Sequence, residues 1–329
     1  MKIPKSWFDK TICRPRSKWR LLGIGVFFFS MPLLASLADR GFDTLIKPSS
    51  RGLFIPPTIL IYILIIAPRT THSLQQLLKT FRPIVLLEDE EFQALVFQAT
   101  RIKGSNEFIS ILLGALIGFG TSLRSISGQF SWLNLYWVLL NILMYGLISW
   151  TVYVSLAGTK LTNTLLRQPL NIDPFDTTPF QPIGRQSFFN ALVFIGGITL
   201  SLLFIKFDFS ILQEALFWLI YGPLTFIPIL IFFMTMAPTH RALANAKNLE
   251  LEAVQLQLRK SCRQLMDRLE KKQETENLPD EINALATYEQ HLQNARTWPY
   301  NTAMLRTLFF SVFFPLVTIL GRLVVEALY

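Results

Sequence analysis

The chain has 329 residues, of which 51% are apolar and only 16% charged, and its mean hydropathy is +0.39. A soluble domain carries about a quarter charged residues, so lipid is the expected solvent for much of this surface. The net charge of +9 does not point to nucleic acid, because the basic residues are spread between apolar runs, where they serve topology.

Two cysteines, Cys13 and Cys262, and three histidines, His72, His240 and His291, stand far apart in the chain. No metal-ligand spacing results, so no metal and no cofactor is expected, and two thiols facing a reducing cytosol give no disulfide. Residues 1–20 hold seven Lys/Arg against one acid and lead into the first apolar run, 21–37. A signal peptide cut after Ser36-Leu37-Ala38 is one reading; an uncleaved first membrane helix, given the long basic leader and the spans that follow, is the preferred one.

The second run, 53–68, starts at Pro56-Pro57 and is short for a hydrocarbon core that needs about twenty helical residues. A polar connection over 69–106 follows. Leu74, Leu77, Leu78 and Phe81 fall on one helical face, and Glu88 to Glu91 supply first-turn charge to a second short helix. The third run, 108–123, carries Gly114, Gly118 and Gly120, a spacing that lets another helix approach closely. The fourth, 132–156, is bracketed by the aromatic groups Trp132, Tyr136, Trp137 and Trp150, Tyr153, as at membrane interfaces.

Pro169, Pro174, Pro179 and Pro182 exclude a continuous helix from the connection 158–186, and Asp173 and Asp176 read first as turn-forming residues beside proline. The fifth run, 188–205, contains Gly196-Gly197. The sixth, 211–237, contains Gly222, Pro223 and Pro228, a candidate hinge where the helix is expected to kink or unwind. Over 239–298 the chain turns polar, with nine Lys/Arg and nine Asp/Glu. Leu251, Val254, Leu258, Cys262, Leu265 and Leu269 make a stripe with an eleven-residue repeat, broken at 276–280 and followed by a shorter one, so a cytosolic helical hairpin is expected. The leucines and Val254 of this stripe are candidate oligomer or partner contacts.

The last run, 302–329, begins after Trp298-Pro299-Tyr300 and contains Pro315. Arg322 lies sixteen residues beyond Arg306, about 24 Å at helical rise, and pairs in spacing with Glu326. This pair reads as an interfacial anchor; the alternative is a charged ring at a pore mouth. With the N-terminus in the cytosol, 25 of the 31 Lys/Arg fall on the cytosolic side, and seven spans place the C-terminus outside. The fold class expected is therefore all-α: a multi-pass bundle of seven transmembrane helices in the cell membrane, with the helical hairpin between helices 6 and 7.

Nucleophile elbows, P-loops, dinucleotide fingerprints and HExxH are absent, and no ionisable residue stands at mid-depth in the first six spans, so no enzyme is expected. A cytosolic N-terminus, a sixth span continuing into cytosolic helices and a last span ending outside resemble the layout of insect odorant and gustatory receptor-type ion channels. That resemblance implies a tetramer whose last helix lines a central pore and whose cytosolic helices anchor the subunits. Ser311, Pro315, Thr318, Arg322 and Glu326 are then the candidate pore and gating residues. Where that family has a Thr-Tyr-hydrophobic-Gln-Phe pattern, this chain reads Thr307-Leu308-Phe309-Phe310-Ser311. The start at Trp298 and the 171–184 loop are also similar to uncharacterised bacterial seven-span proteins. A membrane-anchored scaffold acting through 239–298, and a small-solute transporter hinged at the sixth span, are the alternatives. The lipid bilayer is the one partner read directly from composition.

Overall fold

A computed structural model describes residues 18–39, 48–100, 104–126, 131–205, 215–275, 277–298 and 302–328. Among them the chain forms nine α-helices: α1 (Lys18–Ala38), α2 (Ile55–Phe81), α3 (Asp89–Thr100), α4 (Gly104–Ile126), α5 (Trp132–Leu166), α6 (Gln181–Leu202), α7 (Ala215–Glu270), α8 (Leu278–Asn294) and α9 (Thr302–Leu328). Residues 1–17 with Cys13, residues 206–214, and Pro299 to Asn301 lie outside the described residues, as do the side chains of Arg322 and Glu326.

Among the described residues, six segments are long and apolar enough to cross a membrane: Trp19–Ala38, Arg51–Ile84, Asp89–Leu123, Trp132–Leu166, Phe226–Glu270 and Ala303–Gly321. The chain is thus an all-helical, multi-pass membrane protein. The segment expected as the fifth span falls in α6, which is not among the six. Arg185, Gln186 and Asn190 dilute its apolar character; Arg185 is exposed, and for the buried Gln186 and half-buried Asn190 the reason is positional. Helix α6 packs on α2, α7 and α9 and buries Ile183, Ala191, Ile195, Ile198 and Leu202. A helix surrounded by helices has no lipid to satisfy and tolerates polar residues. By contrast α1, α4 and α9 carry exposed Val26, Leu34, Leu113, Leu116, Phe310 and Phe314, the apolar exterior that lipid demands.

At one end of the bundle α1 is tied to α5 by a carboxylate. Asp39 follows α1, accepts from the backbone N–H of Trp132 and Leu133 at 2.9 Å each, and accepts the Ser131 hydroxyl at 2.5 Å. Ser131 in turn caps α5 by accepting from the N–H groups of Leu133 and Asn134. These donors are orphaned by helix geometry, and the α5 dipole favours negative charge there. The Asp39 carboxyl is accordingly held below its ordinary range, chiefly by the Ser131 hydroxyl and the Leu133 N–H.

Helices α4 and α5 touch backbone to backbone. A Cβ on Gly114 would collide with the Tyr145 carbonyl oxygen, and one on Gly118 would stand 2.6 Å from the Asn141 carbonyl oxygen, whereas Gly120 faces open space. The Ser110 hydroxyl donates to the Ser149 carbonyl at 3.0 Å across the same seam. Two of the three glycines singled out by spacing therefore make the contact, and the third does not.

Helices α2, α5 and α7, of 27, 35 and 56 residues, extend beyond the roughly twenty that a bilayer requires, and at the end away from Asp39 they assemble a second core. We call this end the platform. Its buried cluster includes Leu77, Leu78, Phe81, Phe92, Leu161, Phe180 and Met236. The amphipathic face expected after the second span is thus used, with Leu77 and Leu78 each 1% exposed. Arg82 fastens the corner between α2 and α3: it pairs with Asp89, donates to the Val85 and Leu87 carbonyls, and lies 5.0 Å over the Phe92 ring. The two connections meet in a one-rung antiparallel bridge, Val85 with Leu170. In the 167–180 stretch, Asp173 and Asp176 each accept from the backbone N–H two residues on, at 2.9 Å, which is the turn role expected of them. Phe175 from this stretch meets the Tyr288 ring edge-on at 5.5 Å.

Helix α8 runs antiparallel along α7. Lys247 donates to the Gln293 carbonyl, Tyr288 to Glu250, Gln255 to Glu289 and Ser261 to Glu281. The link into α9 is clamped by His240, whose ring stacks on Trp298 at 4.0 Å with planes 6° apart. Helix α7 runs through Pro223, Pro228 and Pro238 without interruption, and α9 runs through Pro315. The local unwinding expected at the sixth span is therefore not seen among the described residues.

Candidate functional site

Between α2, α4, α5 and α6, in the half of the bundle nearer Asp39, lies a cavity of about 290 Å³. Ile59, Ile63, Met144, Ile148, Val193 and Ile198 make it mostly apolar. The polar groups on its wall are uncharged: Tyr62, Thr121, Asn141, Tyr145, Thr151 and Ser201. Four of them donate to backbone carbonyls. Tyr62 donates to the Val193 carbonyl at 2.8 Å, Thr151 to Leu147 and Ser201 to Ile198, each at 2.8 Å, and the Asn141 amide to Trp137 at 2.9 Å. Hydroxyl groups so used keep lone pairs and no free proton. The Asn141 amide carries a second proton and Trp137 brings an indole N–H, so the wall can donate to a guest as well as accept from one.

Tyr62 also lines a second, shallower space of about 350 Å³ against α9, shared with Ile195, Gly196, Thr199, Ser311 and Phe314. It fits because α6 presents glycine there. A Cβ at Gly196 would strike the Tyr62 hydroxyl, and one at Gly197 would stand 3.5 Å from the Tyr62 ring. The Gly196-Gly197 pair is a close-packing point for an aromatic ring of α2, and that ring separates the two spaces.

The residues singled out from sequence are placed apart. Ser311 reaches the α6–α9 space and donates to Thr307 of its own helix at 2.7 Å; Thr318 likewise bonds Phe314. Pro315 is buried inside α9. Of the proposed hinge, Gly222 has open space around its Cα, Pro223 is exposed and Pro228 is buried. Val254 is 8% exposed, Leu251, Leu258 and Leu265 are half-buried, and Leu269 is exposed. By helical spacing this stripe lies with Ser261 on the face that α8 covers, so its first use is within the chain.

Three residues went unnoticed in the sequence. Tyr62 was legible as the one hydroxyl in the run Ile59 to Ile66. Asn141 sits mid-way along the fourth span as a lone amide. Glu107 is 1% exposed and accepts from the Trp150 indole at 3.3 Å; it escapes a search for ionisable residues within apolar runs because it stands one position before Phe108. Among the described residues no group of three His, Cys, Asp or Glu converges as a metal site. Searches against protein-family models, curated proteins and solved structures find no match to this chain.

Proposed function

We propose that the chain is a seven-span membrane receptor that takes a small, neutral, largely apolar molecule into the α2–α4–α5–α6 cavity and passes its occupancy to α9. In this reading α6 is the seventh span, enclosed by the others. The platform, with α7 and α8 as a helical hairpin, faces the cytosol with the N-terminus, as the Lys/Arg distribution favours. The observation that carries the proposal is the position of Tyr62, whose ring belongs at once to the cavity and to the space against α9. The exposed aromatic face of α9, with Phe309, Phe310, Phe313 and Phe314, supports packing against lipid or further copies around a shared axis, as in a channel.

The wall offers acceptors and donors within an apolar surround, so the favoured guest carries one polar group on an apolar body. Medium-chain alcohols and ketones should raise the melting temperature of the protein in nanodiscs, and alkanes of equal length should do so less. Ile198→Trp, which fills the cavity, should abolish the effect. Equal shifts for alcohol, ketone and alkane, or shifts that survive Ile198→Trp, would remove the cavity from the argument. Conductance in planar bilayers tests the channel half separately, and a silent protein leaves a receptor without a pore.

A second reading, a scaffold acting through the platform, draws on the exposed Leu249, Leu256, Met266 and Leu269 of α7. A thiol placed by Leu256→Cys should then be shielded from a water-soluble reagent in cells and reactive in the purified protein; equal reactivity in both counts against it.

A further inference from the structure

Helix α7 carries a second stripe, away from the one that α8 covers. Leu249, Glu252, Leu256, Arg259, Arg263 and Met266 follow one another at intervals of three, four, three, four and three residues, the spacing of a coiled-coil seam. All six are exposed, the apolar ones Leu249, Leu256 and Met266 at 69%, 57% and 63%. At 3.6 residues per turn the stripe lies about a third of the way round the helix from Val254, Leu258 and Ser261. Among the described residues Glu252, Arg259 and Arg263 enter no ion pair. A helix packed on one face thus presents, on another, a seam of alternating apolar and charged positions that no described residue covers.

The order of these residues selects the partner. Turned end for end about the midpoint between Leu256 and Arg259, the stripe meets its own copy. Leu249 then stands opposite Met266, Glu252 opposite Arg263, and Leu256 against the alkyl stem of Arg259. Each pairing occurs twice, as in any two-fold contact of a surface with itself. The same stripes laid parallel set Glu252 on Glu252, and Arg259 and Arg263 each on its like, which repels. The seam fits an antiparallel copy of itself and rejects a parallel one.

In a membrane this preference has a direction. Helix α7 is continuous from Ala215 to Glu270, and its stretch beyond Asn245 is too charged to stay in lipid. Copies in one bilayer therefore send their stripes out side by side and parallel. Copies in two bilayers that face each other meet end for end. We propose that this face of α7 pairs with a second copy of the chain seated in an apposed membrane, holding the two surfaces together. One helix pair about 26 Å long from Leu249 to Met266 buries less than a standard stable interface, so a single contact is weak, and many between two surfaces add by avidity. The proposal is independent of the cavity, and it names an occupant for the face on which the scaffold reading draws.

The test is clustering of uncharged-lipid vesicles that carry the full chain, read as energy transfer between donor-labelled and acceptor-labelled populations. Native vesicles are expected to cluster with one another and to ignore protein-free vesicles. Glu252→Arg, which sets like charges opposite Arg263, should cut clustering about tenfold or more, and Arg263→Glu should do the same. Both positions are exposed, so neither change should move the melting temperature. Mixing the two variant populations sets opposite charges face to face again and should restore the native level. Native vesicles that stay apart, or that cluster equally with protein-free ones, overturn the pairing. So do variants that cluster like the native chain, or a mixture that stays silent. A Leu256→Cys thiol shielded in cells, together with vesicles that stay apart, would leave the scaffold reading standing and remove this one.

Discussion

The residue with the most traceable effect is Asp39. Its carboxylate serves the start of α5 from the end of α1, three acceptor contacts in all. Because it is exposed, the whole contribution is modest: Asp39→Ala should cost about 1 kcal/mol or less after solvent screening. The pH dependence has a definite sign. A carboxyl held below its unfolded value stabilises the fold above that value and loses the contribution as pH falls through the folded value. The difference in melting temperature between the parent and Asp39→Asn should thus be constant near neutrality and shrink below about pH 4. A difference that grows on acidification would contradict the capping role.

Tyr62 shows the limit of residue-scale reading. A hydroxyl in an apolar run was visible, and so was Gly196-Gly197, but that one packs on the other depends on how α2 and α6 are placed, which no local pattern encodes.

At the scale of elements, the glycines of α4 give the sharpest contrast. Gly118→Ala must push a methyl group against the Asn141 carbonyl and should cost about 1–3 kcal/mol by overpacking, while Gly120→Ala, which meets nothing within 4 Å, should be neutral in a denaturation series of the two variants. Equal effects would mean that α4 and α5 do not approach along this seam. The spacing of small residues was enough to forecast a close contact; which of three glycines makes it was not, since that depends on the azimuth of the partner. Apolar runs understate helix lengths for a related reason. The apolar runs end near Ala67 and Leu156, but α2 and α5 continue to Phe81 and Leu166, because the amphipathic turns beyond each run have a second core to enter. Tertiary burial extends a helix past its lipid limit, and composition alone records only the lipid. Pro223, Pro228, Pro238 and Pro315 teach the converse lesson: each removes one donor, and the helix runs on where packing outweighs that loss.

At the scale of the whole molecule there are two cores, one among the spans and one in the platform, and they should fail differently. Phe81 is fully buried in the platform cluster, so Phe81→Ala should cost about 3–5 kcal/mol and lower the melting temperature by many degrees. Phe313, exposed on α9, can be changed to Ala with little effect on melting in the same nanodiscs. Little or no loss in Phe81→Ala would show that the platform contributes no core of its own. The multi-pass, all-helical character followed directly from mean hydropathy and the spacing of charges. The platform did not, because Leu78, Phe92, Leu161, Phe180 and Met236 come from five separate elements whose polar faces look like ordinary connections.

The Asp39 clamp has a further consequence for how the protein is made. Its acceptor atoms and the donors they meet are separated by more than ninety positions along the chain. During synthesis, then, the first helix must wait: its end remains unfastened while α2, α3 and α4 are being threaded, and it can lock only once residues 131–133 have left the ribosome and entered the bilayer. Insertion order becomes a checkpoint. Ribosome-arrested chains shorter than this should show α1 still free to crosslink with the insertion machinery, and slightly longer ones should show it docked on α5.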